Sequence, residues 1–157
     1  MVRIEMDNGA IIDIELYPEK APKTVANFEK LVKEGFYDGL TFHRIIRGFM
    51  IQGGDPEGTG MGGSKETIPG EFSSNGFPQN DLRHTKGVIS MARTQIPDSA
   101  SSQFFIMHED APYLDGQYAA FGKVINGIDA VDEIACTPTG RMDRPVTPVV
   151  IKKMTLI

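Results

Sequence analysis

Phe42-His43-Arg44-Ile45-Ile46-Arg47-Gly48-Phe49-Met50-Ile51-Gln52-Gly53-Gly54-Asp55 reads as two strand-like runs, 41–46 and 49–52, bent about Gly48 and ending in glycines. In a strand, residues two apart share a face. Gly48 breaks that register, so a bend there brings Arg44 to one surface with Met50 and Gln52. Taken alone, Phe49 and Met50 read first as core, and Arg44 as a solvated strand charge. A second segment shifts that balance. Gln103-Phe104-Phe105-Ile106-Met107 again sets a glutamine and an aromatic two apart on a strand, and Tyr113-Leu114-Asp115-Gly116-Gln117-Tyr118 adds aromatics beside a turn.

The rest of the chain extends the β pattern. Val2, Ile4 and Met6 alternate with charged residues, as do Ile12, Ile14 and Leu16, and Asn8-Gly9 between them predicts a two-residue hairpin turn. From Ala21 the apolar spacing becomes three or four, through Val25, Phe28 and Val32. This predicts an amphipathic helix with Pro22 in its first turn and Gly35 at its end. A second helix is expected over 127–135, with Ile128, Val131 and Ile134 as its apolar face. Further strands are expected at 87–92, 103–107, 118–125 and 149–156. Eight strands and two helices without a βαβ rhythm predict a mainly β fold: an eight-stranded antiparallel barrel, closed to remove its edges and capped by two α-helices. The span 53–83 lacks periodicity and reads as a long functional loop.

Composition narrows the function classes. The 157 residues fit one domain, 1–157, large enough for a core without staples. The formal charge is -5 with no basic stripe, which argues against nucleic acid as a partner. No apolar run reaches the ~20 residues that span a bilayer, so no membrane partner is expected. The single cysteine, Cys136, cannot form an internal disulfide; it is expected to pack behind the second helix, and the chain is assigned to the cytoplasm.

Three other chemistries are weak. Gly58-Thr59-Gly60-Met61-Gly62-Gly63 has a GxGxxG spacing, but no helix pattern follows it, so a loop with unusual backbone angles is the better reading than a nucleotide site. His43, His84 and His108 lack a second ligand at metal-binding intervals, so no metal is expected. Ser101-Ser102 stands in no GxSxG elbow.

The motifs Phe42-His43-Arg44, Gln52-Gly53-Gly54-Asp55, Ser90-Met91-Ala92, Ser102-Gln103-Phe104-Phe105-Ile106, Leu114-Asp115-Gly116 and Phe121-Gly122-Lys123-Val124 together resemble the cyclophilin family of peptidyl-prolyl isomerases. The similarity runs from about residue 10 to 156 and is closest to the short, bacterial-type, single-domain forms. It implies an eight-stranded barrel capped by two helices. It also implies cofactor-free isomerisation of X-Pro bonds in peptides and in unfolded or folding proteins, by a monomer. Arg44 then matches the catalytic arginine, and Gln52 the amide that holds substrate backbone and orients it. Phe49, Met50, Phe105, Leu114 and Tyr118 match the proline pocket. Ala92, Arg93 and Thr94 match the segment that pairs with substrate backbone, and Gln103 and Gly60 the adjoining groove. The alternative is a proline-recognition or chaperone module with little catalysis, which a missing arginine would have signalled.

Some positions depart from the family pattern. Tyr113, which the resemblance counts among the substrate-binding residues, stands where cyclosporin-sensitive members carry tryptophan, so weakened cyclosporin binding is implied. Tyr118 replaces a frequent histidine, and Arg47 lies where proline is common. Arg93 replaces an asparagine, and a cation there would favour acidic residues flanking proline.

Overall fold

The computed structural model describes residues 1–157. Its strands are β1 (Val2–Met6), β2 (Ile11–Leu16), β3 (Phe42–Ile46), β4 (Met50–Gly53), β5 (Val88–Met91), β6 (Phe104–Met107), β7 (Ala120–Asn126) and β8 (Ile151–Leu156), with helices α1 (Pro22–Lys33) and α2 (Ile128–Ala135). All the ladders are antiparallel, and the strand order is β3-β4-β6-β5-β7-β2-β1-β8.

The sheet curls but is not closed by a ladder, which corrects the expected closed barrel. Its edge strands β3 and β8 do not pair as strands. The chain just outside them meets at one antiparallel bridge, Thr41 to Val150, where Phe42 N–H donates to Val149 O (3.0 Å) and Ile151 N–H to Leu40 O (2.8 Å). Val149 and Val150 stop short of β8 because Pro145 and Pro148 precede them, and proline has no N–H to give a ladder.

The first hairpin also differs from expectation. Met6 N–H donates to Ala10 O (2.9 Å) and Gly9 N–H to Met6 O (3.0 Å), which makes a three-residue loop, 7–9. Only Gly9 takes a positive φ, +89°, while Asn8 accepts from Ala10 N–H through its side chain (2.9 Å). A turn followed by one left-handed glycine satisfies Asn-Gly as well as the tighter turn does.

Helix α1 forms as predicted and ends as Gly35 dictates. At φ +71° Gly35 donates to Val32 O (3.1 Å) and Phe36 donates to Leu31 O (3.0 Å), which satisfies the last carbonyls. Its start has no cap of its own. Instead the buried Glu71 accepts from both the N–H and the hydroxyl of Thr24, at 2.6 and 2.8 Å. In α2, Val131, Ile134 and Ala135 are buried. Cys136, expected to pack, is exposed, because it caps the helix one step past that face.

Two separate apolar clusters follow from the pleat. On the inner face Ile45, Ile51, Ile106 and Ile89 stand opposite one another across β3, β4, β6 and β5. They join a cluster of 29 buried residues in which Phe28 of α1 packs on Tyr37, Phe104 and Phe121, with ring centroids 5.1–5.6 Å apart. On the outer face Met50, Val88, Phe105, Met107, Ala111, Leu114 and Ala120 form a second cluster of 7 beneath the chain that joins β6 to β7.

Candidate active site

The register that builds the inner isoleucine row builds the site on the opposite face. Arg44 faces Gln52, Gln52 faces Phe105, and Phe105 faces Ser90. Directly opposed residues share a face. The ladder therefore sets an arginine, an amide and an aromatic ring in one line across three strands. Gly48 makes this possible: at φ +79° it turns β3 back on β4, and its N–H donates to His108 Nδ1 at 2.8 Å. Since Nδ1 accepts, the His108 proton sits on Nε2, which lies 3.2 Å from Asp132 Oδ1. Sequence reading set His108 aside as a poor metal ligand; its work is to fix the bend before Phe49.

A cavity of about 140 Å³ opens over this line, bounded by Arg44, Phe49, Met50, Gln52, Ala92, Arg93, Phe105, Leu114 and Tyr118. Six of these nine are hydrophobic, so the pocket suits a small apolar ring with polar groups at one side only. The Tyr118 ring stands edge-on to Phe105 at 5.8 Å and makes a wall. A second, more polar cavity of about 300 Å³ adjoins the first through Gln52, Ala92 and Arg93, and it takes in Gly60, Thr94 and Gln103. Tyr113 lines neither. It is 70% exposed and leans on Phe49 from outside, with centroids 6.1 Å apart.

Behind Phe105 lies a buried polar group that sequence reading missed. The His84 ring stacks on Phe105 at 6.1 Å, with Nε2 2.9 Å from Ser90 Oγ and Nδ1 3.2 Å from Asp115 Oδ1. The arrangement imitates a hydrolytic triad, but Ser90 is fully buried under the pocket and no substrate reaches it. Burial pushes the His84 imidazole below its usual pKa, against the opposing pull of Asp115. Burial likewise lowers His43; Asp55 opposes this, and the nearby Arg144 and Arg44 cations reinforce it.

The polar side of the site is a set of hydrogen bonds. Arg44 makes no ion pair, and its Nη1 donates to Gln52 Oε1 at 3.4 Å. Gln52 Nε2 donates to Gln103 Oε1 at 2.9 Å, and Gln103 Nε2 donates to the carbonyls of Gly60 (3.0 Å) and Gly62 (2.8 Å).

Arg93, expected as a cation at the groove, rests on partners within the chain. The guanidinium carbon lies 4.7 Å from the centroids of both Phe72 and Tyr118, and its two terminal nitrogens donate to Thr94 O and Gln117 O. It acts as a partition between the two cavities. The signal was distributed: neither Phe72 nor the Gln117 carbonyl is marked in sequence as a partner of Arg93.

Comparison with known proteins agrees with this geometry. Residues 1–156 match the family described as cyclophilin type peptidyl-prolyl cis-trans isomerase/CLD. Peptidyl-prolyl cis-trans isomerase B of Bacillus subtilis is 53% identical over 124 residues, covering 79% of this chain and 82% of that protein. Peptidyl-prolyl cis-trans isomerase ppi1 of Schizosaccharomyces pombe is 45% identical over 153 residues, 97% of this chain and 96% of that one. Among solved structures, a Cryptosporidium parvum cyclophilin type isomerase, crystallised in the presence of the dipeptide Ala-Pro, superposes with a TM-score of 0.90 at 34% identity, covering 99% and 98% of the two chains. The chain belongs to the cyclophilin-type peptidyl-prolyl cis-trans isomerase family.

Proposed function

We propose that Arg44 drives X-Pro rotation while the pocket of Phe49, Met50, Phe105, Leu114 and Tyr118 holds the proline ring. The observation that carries this is the line Arg44, Gln52, Phe105, which brings an unpaired guanidinium to the rim of an apolar pocket. The peptide bond resists rotation by ~18–20 kcal/mol because the nitrogen lone pair is delocalised into the carbonyl. In the twisted state the lone pair returns to nitrogen. A donor aimed at that nitrogen therefore binds the twisted state more tightly than either planar isomer, which is the condition for acceleration. Lowering the barrier by about 7 kcal/mol corresponds to roughly five decades of rate. No bond to carbon forms and no proton moves, so the step needs no cofactor.

Gln52 holds the substrate backbone and orients Arg44. Ala92, Arg93 and Thr94 pair with the extended substrate through their backbone, beside Gly60 and Gln103. The substrates are proline-containing segments of unfolded or folding chains, met in the cytoplasm by a monomer whose single domain is 1–157. The Ala-Pro present with the Cryptosporidium relative supports a proline ligand. Exposed Met61 and Met142 beside the groove support clients with apolar flanks. No helix is long and apolar enough to cross a membrane.

The test is NMR exchange spectroscopy on a short X-Pro peptide. The wild-type chain should broaden and exchange the cis and trans resonances. Arg44→Ala should lose about 10²–10³ in kcat, the usual cost of removing one transition-state donor, with an unchanged melting temperature. Full retained activity in that variant would remove Arg44 from its role.

A further inference from the structure

The glycine-rich loop folds around a buried carboxylate. We propose that Asp55, outside both cavities, is a positioning residue that sets the direction of the catalytic arginine through this loop and two glutamines. The inference rests on the proposed role of Arg44.

Asp55 is 1% exposed and serves as the hub of the loop. Its Oδ1 accepts from Glu57 N–H (2.8 Å), and its Oδ2 accepts from Thr59 N–H (3.0 Å) and Gly60 N–H (2.6 Å). Burial opposes the charge, but the N–H donors of Glu57, Gly62, Gly60 and Thr59 outweigh it and hold the carboxyl below its usual pKa. The loop fits tightly around this anion. Gly58 and Gly60 take φ of +67° and +90°, and a Cβ on Gly62 would stand 2.2 Å from Asp55 Oδ1. With the N–H groups of Glu57, Thr59 and Gly60 turned inward to the carboxylate, the carbonyls of Gly60 and Gly62 are turned outward to Gln103.

Polarity then passes along the chain of amides. The two loop carbonyls only accept, so the Gln103 amide must present its NH₂ to them and its oxygen to Gln52. Gln52 must in turn present its NH₂ to Gln103 and its oxygen to Arg44. An amide reversed at either step would turn NH₂ protons toward a cation. Asp55 thus fixes which end of Gln52 faces the guanidinium, without touching substrate. The last link is the longest, 3.4 Å, which leaves the guanidinium room to follow the prolyl nitrogen as it pyramidalises.

Asp55→Asn keeps the size but turns one accepting oxygen into a donor facing N–H groups, so one arm of the loop is released. Gly62→Ala perturbs the same hub from the other side, because its Cβ would stand 2.2 Å from Asp55 Oδ1. Each should lower kcat about tenfold and change KM for an X-Pro peptide less than twofold, because the apolar pocket is untouched. The discriminating background is Gln103→Leu, which cuts the relay. There, neither substitution should lower kcat further. Unchanged kcat in the single variants, or the same tenfold loss in both backgrounds, would overturn the proposal, since the effect would not run through Gln103. If Asp55→Asn does not fold, Gly62→Ala decides alone. Wild-type turnover is measured first: its absence would break the functional reading itself, whereas its presence beside an Asp55→Asn variant of unchanged kcat breaks only this inference.

Discussion

The two halves of the site are held by different forces. The apolar pocket, the proposed proline site, rests on the ladder at Met50 and Phe105, whose apolar surface is buried with Met107, Ala111 and Leu114. The polar half has Arg44 and Gln52 on strands, but Gln52 is oriented from a loop: it donates to Gln103, and Gln103 donates to the carbonyls of 60 and 62 in the loop that wraps the buried Asp55. Pairing and area shape the apolar pocket. Directional hydrogen bonds fix how the guanidinium points. Binding and rate are therefore separable here, and substitutions in one half should move KM while those in the other move kcat.

The largest expected effect breaks the pocket half. Phe105 is 5% exposed and touches both Tyr118 and His84. Phe105→Ala should cost about 3–5 kcal/mol of stability, the range for emptying a buried phenylalanine site, and should raise KM at least tenfold. Chemical denaturation and peptide titration measure the two together. A stable variant with wild-type KM would mean the proline ring binds elsewhere. Arg44→Ala is the counterpart, expected to lower kcat while leaving stability alone, and the contrast fails if both variants alter the same parameter.

The same contrast governs what could be read from sequence. Alternation gave β1 to β4 and β6 closely, and Pro22 and Gly35 bounded α1, because those signals lie within a few residues of the structure they cause. The site residues were legible once the ordered motifs resembled a family, and nine of them line one cavity, four from the ladder and five from the turns and loops around it. What stayed hidden was carried by partners distant in sequence. Nothing local to Glu71 marks it as the cap of α1, nor marks Asp55 as the hub behind Gln103. The open seam between β3 and β8 was hidden for another reason: 149 and 150 have strand-like residues, but the prolines just before them limit pairing to a single bridge.

A middle-sized effect probes both halves through pH, since each has a histidine behind it. His84 backs Phe105, and His43 lies near Arg44 and Asp55. Both imidazoles have folded pKa values below the unfolded value near 6.5. The unfolded chain therefore binds more protons, and stability rises with pH in that window. Their contribution is full above about pH 6.5 and is lost as the pH falls toward the folded values. The depressed carboxyls of Asp13, Asp55, Asp81 and Asp98 add a separate loss only below about pH 4. Denaturation midpoints at pH 8, 6.5 and 5 should decline in that order. A flat profile would show that neither ring is buried uncharged.

The smallest effect concerns the boundary between the halves. Arg93 is shared by both cavities, and two opposite readings of it predict different kinetics. As a free cation it would attract acidic residues beside proline, so peptides flanked by glutamate would turn over faster than those flanked by glutamine. As a partition it is already engaged by two rings and two carbonyls. Each ring contact stabilises by roughly 0.5–1 kcal/mol, which holds the guanidinium against Tyr118 and restrains its reach toward a flanking residue. The structure favours the second case. Wild-type kcat/KM should then differ less than twofold between the two flanks, and Arg93→Ala should raise KM about threefold for both alike. A glutamate preference that disappears in Arg93→Ala would reverse the assignment. It would mean that the guanidinium leaves Phe72 and Tyr118 when substrate binds, and that the wall between the two cavities opens during turnover.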